Sequence, residues 1–142
     1  MTARRLVAVV VGGVIGTWLR WGVISVLPVD ADSFPTSTFL VNMVGSAALG
    51  VVVVRFLDRR PVRPVGGAFL GPGLLGGLTT FSAFSVETVE LLRTGHGTVA
   101  GVYVVASVVL GVFLAWIAMI LTRRITFVGR RSGGDIVDGS TP

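Results

Sequence analysis

The chain has 142 residues, of which 52% are apolar and 13% charged; the charged share is about half the ~25% of a typical soluble domain. Its mean hydropathy is +0.87, too apolar for a soluble fold this small, which exposes much of its surface, and too apolar for a disordered chain. With no Cys and a single His, His96, it excludes disulfide scaffolds, thiolate metal centres, Cys nucleophiles and any multi-His metal site within one chain.

The net charge is +5, carried by twelve Arg and no Lys against seven acids. A basic balance raises nucleic acid or a membrane surface as partner. The Arg cluster at the ends of long apolar runs, which favours the membrane. There is no Ser-His-Asp set, no phosphate loop and no carboxylate pair in a common core, so the chain reads as a non-enzyme.

Four apolar runs follow one another. About 20 apolar residues at a rise of 1.5 Å cross a ~30 Å hydrocarbon core. The runs are continuous rather than alternating, which selects helices over a barrel. The first, Leu6 to Pro28, holds one charge, Arg20. Its Gly12, Gly13 and Gly16 suit close helix packing, with Gly12 and Gly16 at GxxxG spacing. Arg4 and Arg5 ahead of this run could mimic a signal peptide. Arg20 and Trp21 stand where a small-residue cleavage site would belong, and three more spans follow.

The second run, Pro35 to Val54, is uncharged and ends at Arg55. Thr38, Asn42 and Ser46 recur every four residues and share one face. They serve either as interhelical glue or as the lining of a polar path. The third run, from Pro64 to Val86 and on to Leu92, is interrupted. Pro72 removes a helix hydrogen bond, and Gly76-Gly77 followed by Thr79, Thr80 and Ser82 loosens the middle of the span. Non-helical backbone at that depth is tolerated where it is buried in protein or faces water, and broken helices of this kind form ion sites. A kink that serves packing alone is the other reading. Phe81 and Phe84, at i, i+3, share a face: core aromatics, or ring edges turned to a small anion. The fourth run, Thr98 to Thr122, repeats the four-residue stripe with Tyr103, Ser107 and Gly111.

The connections at 29–34, 58–63 and 93–97 are short. The expected fold is therefore an all-α membrane protein. Its four-helix domain over residues 1–124 has spans near 6–28, 35–57, 64–92 and 98–122, the third broken. A polar, Gly-rich tail at 125–142 is expected to be disordered.

Three segments together carry a resemblance to the Fluc (CrcB-type) fluoride channels of bacteria, over about residues 8–122. They are GGVIGTWLRW at 12–21, TSTFLVNMVGS at 36–46 and GLLGGLTTFSAFSVE at 73–87. The resemblance implies an antiparallel dimer with two fluoride pores, each built from both subunits. It implies that Asn42 is the pore asparagine and that Phe81 and Phe84 touch fluoride with their ring edges. Tyr103 and Ser107 form the polar track of the fourth helix with Thr38 nearby, and Gly111 stands where that track can carry another hydroxyl. Arg20 resembles the vestibule arginine and Glu87 a polar residue at the far end of the path. The backbone carbonyls of Gly76 and Thr79 resemble the ligands of a structural sodium ion at the dimer interface.

The alternatives are a four-helix exporter of cationic drugs and a non-transporting membrane subunit. The exporter needs an acidic residue in the membrane core, and the first span offers Arg20 instead. Orientation follows from charge. Ten of the twelve Arg (Arg4, Arg5, Arg55, Arg59, Arg60, Arg63, Arg123, Arg124, Arg130 and Arg131) fall on the side of the termini and of the 58–63 connection. Arg93 alone lies opposite, where the 29–34 loop carries Asp30 and Asp32. Cytoplasmic loops are enriched in Arg, so both termini are expected in the cytoplasm and the chain in the plasma membrane. An antiparallel dimer is then either a homodimer in which a minority of chains insert upside down or, as so strong a bias favours, a heterodimer with an oppositely oriented paralogue.

Overall fold

The computed structural model describes residues 2–27, 33–57 and 64–131, with the side chains of all but 57 and 126–131. Asp30, Asp32, Arg59, Arg60, Arg63 and residues 132–142 lie outside the described residues. Every regular element among the described residues is helical: α1 (Ala3–Val26), α2 (Thr36–Val52), α3 (Pro64–Ala68), α4 (Gly76–Leu78), α5 (Phe81–Arg93) and α6 (Gly97–Arg131). Two wide, π-helical stretches join them: Val53–Leu57 extends α2, and Phe69–Leu75 links α3 to α4. The elements make four spans long and apolar enough to cross a membrane: Ala3–Val26, Thr36–Phe56, Pro64–Arg93 and Gly97–Ile125.

α6 runs on to Arg131, past the expected boundary at 124. No Pro stands between Thr122 and Arg131, and each further helical hydrogen bond fixes only one more residue.

The surface departs from that of a soluble fold, and a few hydroxyls join the apolar core. Large apolar side chains on α1 and α6, among them Val10, Val14, Trp18, Val105, Val109 and Trp116, are exposed. Polar Ser37, Thr38 and Thr80 are buried, and Tyr103 is fully so. A lipid solvent accepts the former and rejects the latter, so the hydroxyls go inward.

α1 packs on the first half of the third span, and α2 packs on α6. The first contact depends on glycine. A Cβ at Gly12 would come 2.8 Å from the backbone nitrogen of Leu74, and one at Gly16 would come 2.8 Å from that of Leu78. Any side chain there would push the helices apart.

The third span breaks where its sequence loosens. Pro72 cannot donate to the helix ladder, and the chain takes a wide turn around it. α4 ends at Leu78, Thr79 and Thr80 are extended, and α5 starts at Phe81.

Candidate functional site at the broken third span

The break is held by α2. Asn42 Nδ2 donates to the Thr80 carbonyl at 3.1 Å, and the Thr80 N–H donates to Asn42 Oδ1 at 2.9 Å. The side-chain amide thus pairs with the extended peptide as a neighbouring strand would. Thr80 also caps the helix that follows: its Oγ1 accepts from the Ala83 N–H at 3.2 Å and lies 3.1 Å from Ser82 Oγ. α5 therefore begins inside the span, with the positive end of its dipole at the break.

These bonds free two carbonyls. In an uninterrupted helix the Thr80 N–H would go to Gly76 and the Ala83 N–H to Thr79. Asn42 takes the first and Thr80 Oγ1 the second. The Gly76 and Thr79 oxygens are thereby released from the i+4 bonds that would use them. Arg20 Nη1 approaches the Thr79 oxygen at 3.4 Å, a long contact for an N–H···O bond. Released carbonyls are the hard oxygen donors an alkali cation takes, so the chemistry of Gly76 and Thr79 fits a sodium ion. Arg20 was expected in a vestibule; it is half-buried and lies against the break.

A second cluster sits one turn along. Glu87 accepts from Thr38 Oγ1 at 2.6 Å through one oxygen and from the Tyr103 hydroxyl at 2.7 Å through the other. α2, α5 and α6 are joined there by one carboxylate. The Tyr103 ring continues into an aromatic chain. Its centroid is 5.0 Å from that of Phe84 and 5.3 Å, edge-on, from that of Phe34. Phe84 is 5.8 Å from Phe81, and Phe81 is 80% exposed.

Between α2, the third span and α6 lies a cavity of about 860 Å³. Asn42, Thr79, Thr80, Phe81, Phe84 and Ser107 line it, together with Gly76 and Ser46. Most of the expected site residues thus converge on one space. Thr38, Tyr103 and Glu87 form the hydrogen-bonded cluster behind Phe84 instead of lining that space, and Arg20 touches the break from the other side. Sequence reading missed the double role of Thr80. The signal was present: a Thr directly before the first helical residue, its hydroxyl within reach of the N–H three residues on, is a helix cap. It also did not foresee that both ends of the Asn42 amide are engaged by backbone. That pairing depends on the distance between two helices, which spacing within either one does not contain.

Four helices long and apolar enough to cross a membrane define a multi-pass membrane protein, with an open, largely apolar cavity on which a side-chain amide, hydroxyls and two phenyl rings converge. The sequence profile of the family described as CrcB-like protein, Camphor Resistance (CrcB), matches residues 7–119, and the chain belongs to that family. Similar proteins include fluoride-specific ion channel FluC 2 of Bacillus subtilis, 41% identical over 126 residues, 89% of this chain and 93% of the relative. Fluoride-specific ion channel FluC 1 of Mycobacterium tuberculosis is 38% identical over 86% of this chain and 92% of its own length. Fluoride-specific ion channel FluC of Pyrococcus horikoshii is 36% identical over 87% of this chain and its full length.

Proposed function

We propose that this chain is a fluoride-specific ion channel that lets fluoride leave the cell passively. The observation that carries this is the cavity at the break, where two phenyl rings, a side-chain amide and hydroxyls meet in one largely apolar space. The relatives' names agree with it. Fluoride is small and holds its water strongly, so a path must replace that water with donors at short range. The edges of Phe81 and Phe84 carry positive potential, Asn42 retains one amide hydrogen beyond its bond to Thr80, and Ser107 adds a hydroxyl. Thr38, Tyr103 and Glu87 flank the path behind Phe84, with both hydroxyls given to the carboxylate, and Arg20 sets positive charge at the break. An inside-negative potential drives the anion outward with about 2.3 kcal/mol per 100 mV. A narrow path whose groups cannot spread excludes larger halides.

The conducting unit is an antiparallel dimer in the plasma membrane, and a structural sodium ion is held between subunits by the Gly76 and Thr79 carbonyls. The Arg bias supports a single orientation with cytoplasmic termini, and hence an oppositely oriented paralogue as partner.

The test is fluoride efflux from proteoliposomes. Efflux that follows the membrane potential, is indifferent to the direction of a sodium gradient and excludes chloride is the expected result. Efflux coupled to a sodium or proton gradient would make the protein a carrier. No efflux from any assembly of the chain would leave a non-transporting subunit.

A further inference from the structure

α2 and α6 each carry a polar stripe at four-residue spacing, Thr38, Asn42, Ser46 on one and Tyr103, Ser107, Gly111 on the other. The α6 stripe ends at a residue with no side chain; the α2 stripe ends at a hydroxyl. Gly111 faces Ser46 across the helix pair. A Cβ built there would stand 3.4 Å from Ser46 Oγ and 3.5 Å from Met43 Cε. These are ordinary van der Waals distances, so the Ser46 hydroxyl lies directly beside the place where a side chain at 111 would begin.

Ser46 lines the same cavity as Asn42, Phe81, Phe84 and Ser107. Other helical hydroxyls, those of Ser25, Ser85, Thr88 and Thr122, turn back onto the carbonyl four residues earlier. Ser46 and Ser107 make no hydrogen bond among the described residues. A hydroxyl in apolar walls without a partner is costly, and a water or an anion in the cavity removes that cost.

We propose that Ser46 is a further residue of the fluoride path, its O–H donating to the anion one turn beyond Asn42 and Ser107 in place of the side chain that position 111 lacks. This rests on the fluoride-channel reading above. Ser46→Ala, reconstituted in the assembly in which the parent chain conducts, is expected to lose about tenfold in fluoride efflux, the share of one hydroxyl donor to a charged acceptor. Ser46→Ala combined with Gly111→Ser moves the hydroxyl across the helix pair and is expected to recover efflux to within about threefold of the parent. A recovery of that kind is something a packing role would not produce. Ser46→Ala conducting at the parent rate overturns the inference and leaves the channel intact. So does a double variant that assembles yet stays as slow as Ser46→Ala. A parent chain that conducts fluoride in no assembly overturns the channel reading itself, and this inference with it.

Discussion

A phenyl ring offers a small anion only its rim, where the hydrogens carry the positive end of the quadrupole. Phe81 and Phe84 differ in what else they do: Phe84 packs on the buried Tyr103 ring, whereas Phe81 lines the cavity and is itself largely exposed. Phe81→Ile is therefore expected to assemble normally and to lose at least about tenfold in efflux, the equivalent of ~1.4 kcal/mol in the barrier. Phe84→Ile should lose flux and some stability as well. Undiminished efflux from both variants would remove ring edges from the mechanism. Asn42 has a different burden, because its amide holds the Thr80 peptide from both sides. Asn42→Asp keeps the shape but sets an acceptor against the Thr80 carbonyl. It should cost about 1–3 kcal/mol of stability and lower efflux strongly, read by thermal unfolding in detergent beside the efflux assay. Full efflux with reduced stability would make Asn42 a clamp alone.

At the level of elements, α1 and the third span touch backbone to backbone, and the glycines of α1 are not equivalent. Gly16 faces the Leu78 nitrogen, whereas a Cβ at Gly22 would meet nothing within 4 Å. Gly16→Val is expected to cost about 3 kcal/mol by overpacking and to cut the yield of assembled protein. Gly22→Ala should be neutral or gain up to ~1 kcal/mol. Equal behaviour of the two in detergent unfolding would mean that α1 does not pack as described.

For the whole molecule, a chain that inserts in both orientations should show little charge bias, and this one places ten of twelve Arg on one side. Tags at either terminus of the chain expressed alone are expected to be found only in the cytoplasm. Fluoride efflux is then expected to rise on co-expression with an oppositely biased paralogue. Termini on both sides, with full efflux from the chain alone, would establish a homodimer instead.

Composition and run length alone determined the membrane, the four spans and the all-helical architecture, because a lipid solvent leaves the backbone few ways to satisfy itself. The weakness of the third span was legible too: Pro72, the Gly76-Gly77 pair and Thr79-Thr80 are local features, and local features act through local geometry. The candidate residues on α2 and α6 could be picked out by their four-residue spacing, which places them on common faces but does not say what each face meets. Only the tertiary structure decided that Asn42 pairs with the Thr80 peptide, that Glu87 joins Thr38 to Tyr103, and that Ser46 lies beside Gly111. Each of these depends on the rotation and distance of one helix relative to another. Those are set by where glycines let backbones touch, a property of two surfaces together that periodicity along one helix does not encode.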